Sequence, residues 1–190
     1  MTGRTHDLAA FTALNLAFVN LTPEVVSLGT AILAIGACFV GGLTPDLDQP
    51  AAKLWQQLPA GTFFGHIFSK FFWKHRTISH SLLGLFIFYL ISQFVVTWME
   101  SFILVNTKLI KGAFLIGVFS HLVSDSLTKE GIPWLFPFKF YFGFPPFQFL
   151  RIKTGGNLEK YALFPILLLL NGYLVWKFYP IYLNLLHKLI

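Results

Sequence analysis

Three short motifs hold residues whose types and spacing suit acid, base or metal chemistry. In GGLTPDLDQP, residues 41–50, Asp46 and Asp48 stand two apart directly after an apolar run, where Gly41, Gly42, Pro45 and Pro50 bend the chain out of helical form. Two carboxylates that close repel unless a cation lies between them. A solvated turn is the plain alternative, although carboxylates at a helix carboxyl end are opposed by its dipole. In HRTISHS, residues 75–81, His75 and His80 flank Arg76 at the threshold of a run that carries no charge until Glu100. Five residues of separation put the histidines on different helix faces, so His75 is expected in the loop and His80 in the first turn, with Ser79 or Thr77 as cap. An interfacial cationic anchor is the alternative for either histidine alone. In FSHLVSDSLTKEG, residues 119–131, His121 and Asp125 lie four apart on a helix and share a face. Such a pair binds one metal, or forms an acid–histidine hydrogen bond.

The elements that must position these motifs are membrane helices. The 190 residues are 55% hydrophobic and 12% charged, with a mean hydropathy of +0.67, which lies outside the range of soluble domains. Val25 to Leu43, Leu82 to Met99, Leu109 to Leu127 and Tyr161 to Tyr179 approach the ~20 apolar residues that span a bilayer. Leu8 to Leu21 is shorter and carries Asn15 and Asn20, so it is either a thin or tilted span or a half-buried helix; it is counted here as a fifth span. The expected fold is an all-α polytopic bundle of four or five membrane segments and two interfacial loops, forming one domain over residues 1–190. In the first loop, Phe63, Phe64, Ile67, Phe68, Phe71 and Phe72 recur at helical spacing opposite His66, Lys70 and Lys74, the pattern of a helix lying in the interface. In the second, PWLFPFKFYFGFPPFQF, residues 133–149, is aromatic and broken by proline, and is expected to pack over the bundle end. Cys38 is the single cysteine, so no intrachain disulfide forms, and a buried structural thiol is expected. The pI near 9.5 is read as lipid headgroups and orientation, not as nucleic acid, because the basic residues are dispersed along membrane borders.

With five spans, the amino terminus and both long loops share one side. That side carries ten of the fourteen Lys and Arg residues, which predicts that it is cytoplasmic. His6, Asp46, Asp48, His75, His80, His121 and Asp125 then converge at one end of the bundle, and Glu159 opens the last segment beside them. Ionisable residues bordering membrane segments usually face a cavity or site, so these seven are the expected ligands of two or more divalent ions. Zinc suits a mixed imidazole and carboxylate set and needs no redox partner; manganese and iron are the alternatives. Arg76 is read either as a bidentate phosphate clamp or as a headgroup anchor, and Glu159 as a general base or further ligand. His66, on the basic face of the interfacial helix, and His187, in the tail after Pro180, are left out.

Taken together, THD at the start, GGLTPDLDQP, HRTISHS, SHLVSDSLTKEGIPWLFPF and TGGNLE resemble, in order, the membrane-bound metal-dependent hydrolases called YdjM-like or LexA-binding, inner-membrane-associated. The resemblance implies an inner-membrane location and a hydrolase with a remote likeness to the zinc-dependent phospholipase C superfamily; the LexA label is taken to concern gene regulation and implies no protein partner. Lipid phosphatases with Arg-x5-His-x3-Asp are disfavoured, since position 115 is Leu. The function expected is metal-assisted hydrolysis of a phosphoester in a lipid or lipid-linked substrate. The alternatives are a non-catalytic membrane protein with a structural metal, and a metal or proton transporter, which would place its ligands nearer the bilayer midplane.

The orientation is open to a direct test. Cysteines at Thr62 and Lys153, in a Cys38→Ala background, are expected to resist an impermeant thiol reagent in intact cells and to label after permeabilisation. Labelling of both from outside inverts the topology.

Overall fold

A computed structural model of the chain describes residues 1–190 except 22–25, 51, 58, 60, 70–75, 139 and 190. The described residues form eight α-helices: α1 (Gly3–Leu21), α2 (Leu28–Leu43), α3 (Lys53–Gln56), α4 (Gly61–Ser69), α5 (Leu82–Met99), α6 (Thr107–Ser126), α7 (Phe164–Lys177) and α8 (Tyr179–Leu189). A 3-10 turn, Thr44–Asp48, prolongs α2, and a π-helical turn, Glu159–Leu163, leads into α7. The described residues contain no strand; two isolated bridges, Thr128 with Ile152 and Ile132 with Phe142, fold the aromatic loop back on itself.

Among the described residues, three helices are long and apolar enough to cross a membrane: α2 with its 3-10 extension, α5 and α6. The pair Glu159–Lys177 and Tyr179–His187, bent by 70°, makes a fourth if it counts as one span. The expected fifth span, Leu8 to Leu21, is not among them. Its helix, α1, has 19 residues, but Arg4, His6, Asp7, Asn15 and Asn20 lower its hydropathy. It packs instead against α2, α6 and α7, and that packing buries His6, Thr12 and Asn15 while Arg4 and Asn20 stay exposed. Asn15 Nδ2 donates to Asn171 Oδ1 at 2.6 Å and Asn171 Nδ2 to Thr12 Oγ1 at 2.7 Å, tying α1 to α7.

The α2–α6 contact is the closest in the bundle, and small residues make it so. A Cβ on Gly117 would lie 2.1 Å from the Cys38 carbonyl oxygen, so the two backbones touch. Cys38 is buried with Ala10 and Ala113, and its Sγ donates to the Ala10 carbonyl at 3.3 Å, the structural role expected of it. α4 covers Gly61–Ser69 of the expected interfacial helix, with Phe63, His66 and Ile67 exposed; residues 70–75 lie outside the description. The aromatic loop is irregular as expected. It is anchored by Trp134, whose Nε1 donates to Ser126 Oγ at 2.9 Å and whose carbonyl takes the Leu82 N–H at 2.9 Å.

Because the Gly117 contact is with backbone, no rotamer relieves it. Gly117→Ala is expected to destabilise the protein by at least about 1–3 kcal/mol. Gly36→Ala in α2, where a Cβ meets nothing within 4 Å, is expected to be neutral or to stabilise by up to about 1 kcal/mol. Thermal unfolding of the two variants in detergent checks the contrast.

Candidate metal centre

The ends of four helices meet at one point. α1 brings His6 in its first turns, the 3-10 turn after α2 brings Asp46 and Asp48, and the turn before α5 brings His80. The last turns of α6 bring His121 and Asp125. Pro45, which lacks an N–H, starts the 3-10 turn, and Trp55 pins it by donating from Nε1 to the Leu47 carbonyl at 3.0 Å. The cap of α5 is Ser81, whose Oγ accepts from Gly84 N at 3.1 Å. The expected cap, Ser79 or Thr77, is therefore corrected, and His80 sits before the helix, not in its first turn. Gly84 is required there, since a Cβ would lie 2.1 Å from the Ile78 carbonyl.

Hydrogen bonds fix both buried imidazoles in one tautomer. His121 Nδ1 lies 2.7 Å from the Gly42 carbonyl oxygen, which only accepts, so Nδ1 carries the proton. Ser79 Oγ donates to Asp48 Oδ2 at 2.7 Å, and so accepts from His80 Nδ1–H at 2.9 Å. In the neutral rings both Nε2 atoms then carry lone pairs, and these stand 3.2 Å apart with both histidines 0% exposed. Two lone pairs at that distance repel unless a proton or a metal ion lies between them.

Carboxylates complete the set. Asp46 Oδ1 is 3.6 Å from each Nε2, and Asp125 Oδ2 is 3.6 Å from that of His80 and 3.9 Å from that of His121. Donor atoms around a tetrahedral ion bound at about 2.0–2.2 Å lie about 3.3–3.6 Å apart, so the spacing fits a zinc-sized ion. His6 adds to the fit. It is buried, its ring stacks on His121 at 3.8 Å, and neither of its nitrogens has a hydrogen-bond partner. Its Nε2 lies 3.3 Å from Asp125 Oδ1. Two overlapping groups result, His6–Asp46–His121 and His80–His121–Asp125.

The remaining expected residues stand elsewhere. Asp48 is not a member of either group: its Oδ2 takes Ser79 Oγ and, at 3.2 Å, the Arg76 N–H, on the Nδ1 side of His80 and away from the Nε2 edge. It orients His80 through Ser79. His75 lies outside the described residues. Arg76 turns inward: it is 12% exposed, its Nη2 is 2.6 Å from Asp125 Oδ2, and its Nη1 is within reach of Thr128 and Glu130. Its φ of 59° is rare for a residue with a side chain and is held by these contacts. The α-ammonium of Met1, 2.5 Å from Asp125 Oδ1, is a second cation on that carboxylate. Partial burial pushes the Glu130 carboxyl up, but its own backbone N–H and the Arg76 charge outweigh that and hold it below its ordinary value.

Glu159, expected as a base or ligand, is consumed by the start of α1. Its Oε1 accepts from Thr2 N at 2.8 Å, Thr2 Oγ1 at 2.7 Å and Thr5 Oγ1 at 2.6 Å, and its Oε2 from Gly155 N at 2.7 Å. It caps α1 from across the fold, serving amides that a helix leaves unpaired. Ser79 and Glu159 were misread in the sequence for related reasons. TIS reads as a cap until Ser81 competes for the role, and nothing local tells that the partners of Glu159 lie at the other end of the chain.

A structural Glu159 has a measurable consequence. Glu159→Ala is expected to lower stability by at least about 1.5–3 kcal/mol, the range of one hydrogen bond to a charged group, because several buried donors lose their acceptor. Unchanged thermal unfolding would return Glu159 to the list of reactive groups.

Comparison with known proteins agrees with a membrane location. The profile of the YdjM inner membrane protein family matches residues 1–183. The uncharacterized protein YvsG of Bacillus subtilis is 30% identical over 165 residues, covering 86% of this chain and 88% of that one. The inner membrane protein YdjM of Escherichia coli is 29% identical over 147 residues, covering 75% of this chain and 66% of that one. No solved structure matches the chain. Since that profile covers residues 1–183 of the 190, the chain belongs to the YdjM inner membrane protein family.

Proposed function

We propose that this membrane protein is a metal-dependent hydrolase that cleaves a phosphoester in a lipid or lipid-linked substrate. The observation that carries the reading is the pair of opposed Nε2 lone pairs, closed in by Asp46 and Asp125 and by buried His6, whose Nε2 lies 3.3 Å from Asp125 Oδ1. His80, His121 and Asp125 would hold the first ion, zinc by preference, with Asp46 Oδ1, 3.6 Å from both histidine Nε2 atoms, as a fourth donor. Asp125 presents Oδ1 to His6 and Oδ2 to the other two histidines, the posture of a carboxylate shared with a second ion. A bound divalent ion supplies Lewis acidity at a phosphoryl oxygen and lowers the pKa of water from about 16 to about 7. The chain's own residues do the rest. Arg76 holds Asp125 in place, Ser79 and Asp48 fix the His80 ring, and the exposed aromatic side chains Phe138, Phe140, Phe144, Phe147 and Phe149 face the lipid headgroup layer. The excess of Lys and Arg on the loop side supports a cytoplasmic site.

A structural metal in a non-catalytic protein is the second reading, favoured by a ligand set that already numbers four. The 26% exposure of Asp46 opposes it, because a ligand in reach of water leaves one side approachable. A transporter is disfavoured by the position of the cluster at the bundle end.

Purified protein is expected to contain stoichiometric divalent metal by elemental analysis, and His80→Ala and His121→Ala to lose it. Asp48→Asn is expected to keep the ligands but weaken affinity about 10–100-fold, as loss of an orienting partner does. In a panel of lipid phosphoesters, chelated protein and His80→Ala are expected to be inactive together. Metal-free protein whose melting temperature does not move in excess zinc sinks the reading, and metal without turnover on any phosphoester favours the structural alternative.

A further inference from the structure

Resting on that hydrolase reading, we infer that the polar cavity beside Asp46 seats the phosphate-bearing group of the substrate, with Lys53 and not Arg76 as its cation. The cavity has a volume of about 240 Å³ and is lined by Gly3, Asp46, Gln49, Lys53 and Gln56 among others. Its wall is largely polar and includes a member of the metal cluster, Asp46. The larger cavities, about 370 Å³ among α1, α2, α6 and α8 and about 650 Å³ along α5 and α6, are lined almost wholly by apolar residues. A volume below the ~300–1,000 Å³ of drug-sized sites suits a headgroup, not a whole lipid.

Charge decides which cation serves it. Arg76 is committed to Asp125, and turning it to a substrate would strip that buried carboxylate of its partner. Lys53 is 37% exposed and gives one of its three N–H donors to Asp7 Oδ2. Asp7 Oδ1 is buried without a hydrogen-bond partner, and of the pair it is Lys53 that lines the cavity. Before an ion binds, Asp7 and Asp46 outweigh Lys53 by one negative charge and an anion is repelled. A divalent ion on Asp46 reverses the sign. Phosphate binding therefore depends on metal, and by linkage phosphate tightens metal binding by the same factor.

The test uses full-length protein in detergent or nanodiscs, loaded with the metal it copurifies with or chelated, titrated calorimetrically with inorganic phosphate. The loaded parent is expected to bind phosphate and the chelated parent not to. Lys53→Met, which keeps the stem, is expected to retain metal and weaken phosphate binding about tenfold or more, the worth of one charge-assisted hydrogen bond; Lys53→Arg is expected to stay near the parent. If Lys53→Met is unstable because Asp7 loses its partner, the double variant Asp7→Asn with Lys53→Met removes both charges and is expected to show the same weakening. Glycerol phosphate and phosphatidic acid in neutral-lipid nanodiscs separate the sources: tighter phosphatidic acid places the group on a lipid, equal binding places it on a soluble ester, and both retain the anion site. Metal-loaded Lys53→Met that binds phosphate like the parent overturns the inference, as does a metal-loaded parent that binds none. A parent that takes up no metal overturns the centre itself.

Discussion

Two imidazole Nε2 atoms, each turned inward with its lone pair by the hydrogen bond at Nδ1 in the neutral ring, are held face to face in the dry end of a helical bundle. In isolation that arrangement is repulsive, and it persists only because rigid surroundings impose it. The Gly42 carbonyl sets the His121 ring, and it reaches that ring only because Gly117 lets α6 lie against the backbone of α2. The Asp48–Ser79 hydrogen bond sets the His80 ring, and it forms only because Pro45 and Trp55 fold the chain after α2 into a tight 3-10 turn. Helix packing and ligand geometry are thus one constraint: widening the α2–α6 contact releases His121 from its tautomer and removes the reason for a cation to bind.

The carboxylates obey the same logic through charge. A buried carboxylate without a partner costs several kcal/mol, and Asp125 is nearly inaccessible. It is compensated by Arg76 and by the Met1 ammonium. Arg76 reaches Asp125 from a backbone conformation that residues with side chains rarely adopt, and its N–H meanwhile serves Asp48. One arginine therefore joins the carboxylate that faces the histidine Nε2 atoms to the carboxylate that orients His80 from behind. This is an internal role, and it leaves the guanidinium little freedom to meet a ligand.

Much of this was legible in the sequence because its signals are local. Four-residue spacing placed His121 and Asp125 on one face, Gly and Pro marked the turn bearing Asp46, and hydropathy bounded α5 correctly. The alternation of long apolar segments brought the polar ends together. What escaped depended on partners far along the chain or on side-chain direction within a turn. Asp46 and Asp48 look equivalent in PDLD, but the turn sends one to the Nε2 atoms and the other to Ser79. Glu159 carries no mark that Thr2 and Thr5 will surround it. Ser79 and Ser81 both qualify as caps, and only packing against Ile78 and Gly84 selects the second. α1 is the half-buried helix that its Asn15 and Asn20 left open beside a span: its packed face buries His6, Thr12 and Asn15, which lipid would not tolerate.

Helix direction explains why this end of the bundle, and not the other, gathers the site. α2 and α6 arrive by their carboxyl ends, where unpaired carbonyls and the negative end of the helix dipole favour positive charge. It is there that the imidazoles, Asp46 and Asp125 surround the point suited to a cation. α1 arrives by its amino end, which favours negative charge, and Glu159 supplies it through the Thr2 amide and hydroxyl and the Thr5 hydroxyl. Exchanging these two placements would oppose both dipoles at once. The antiparallel order of the helices therefore does more than pack them: it sorts the acids of one layer into those that close a helix start and those left with donor atoms for an ion.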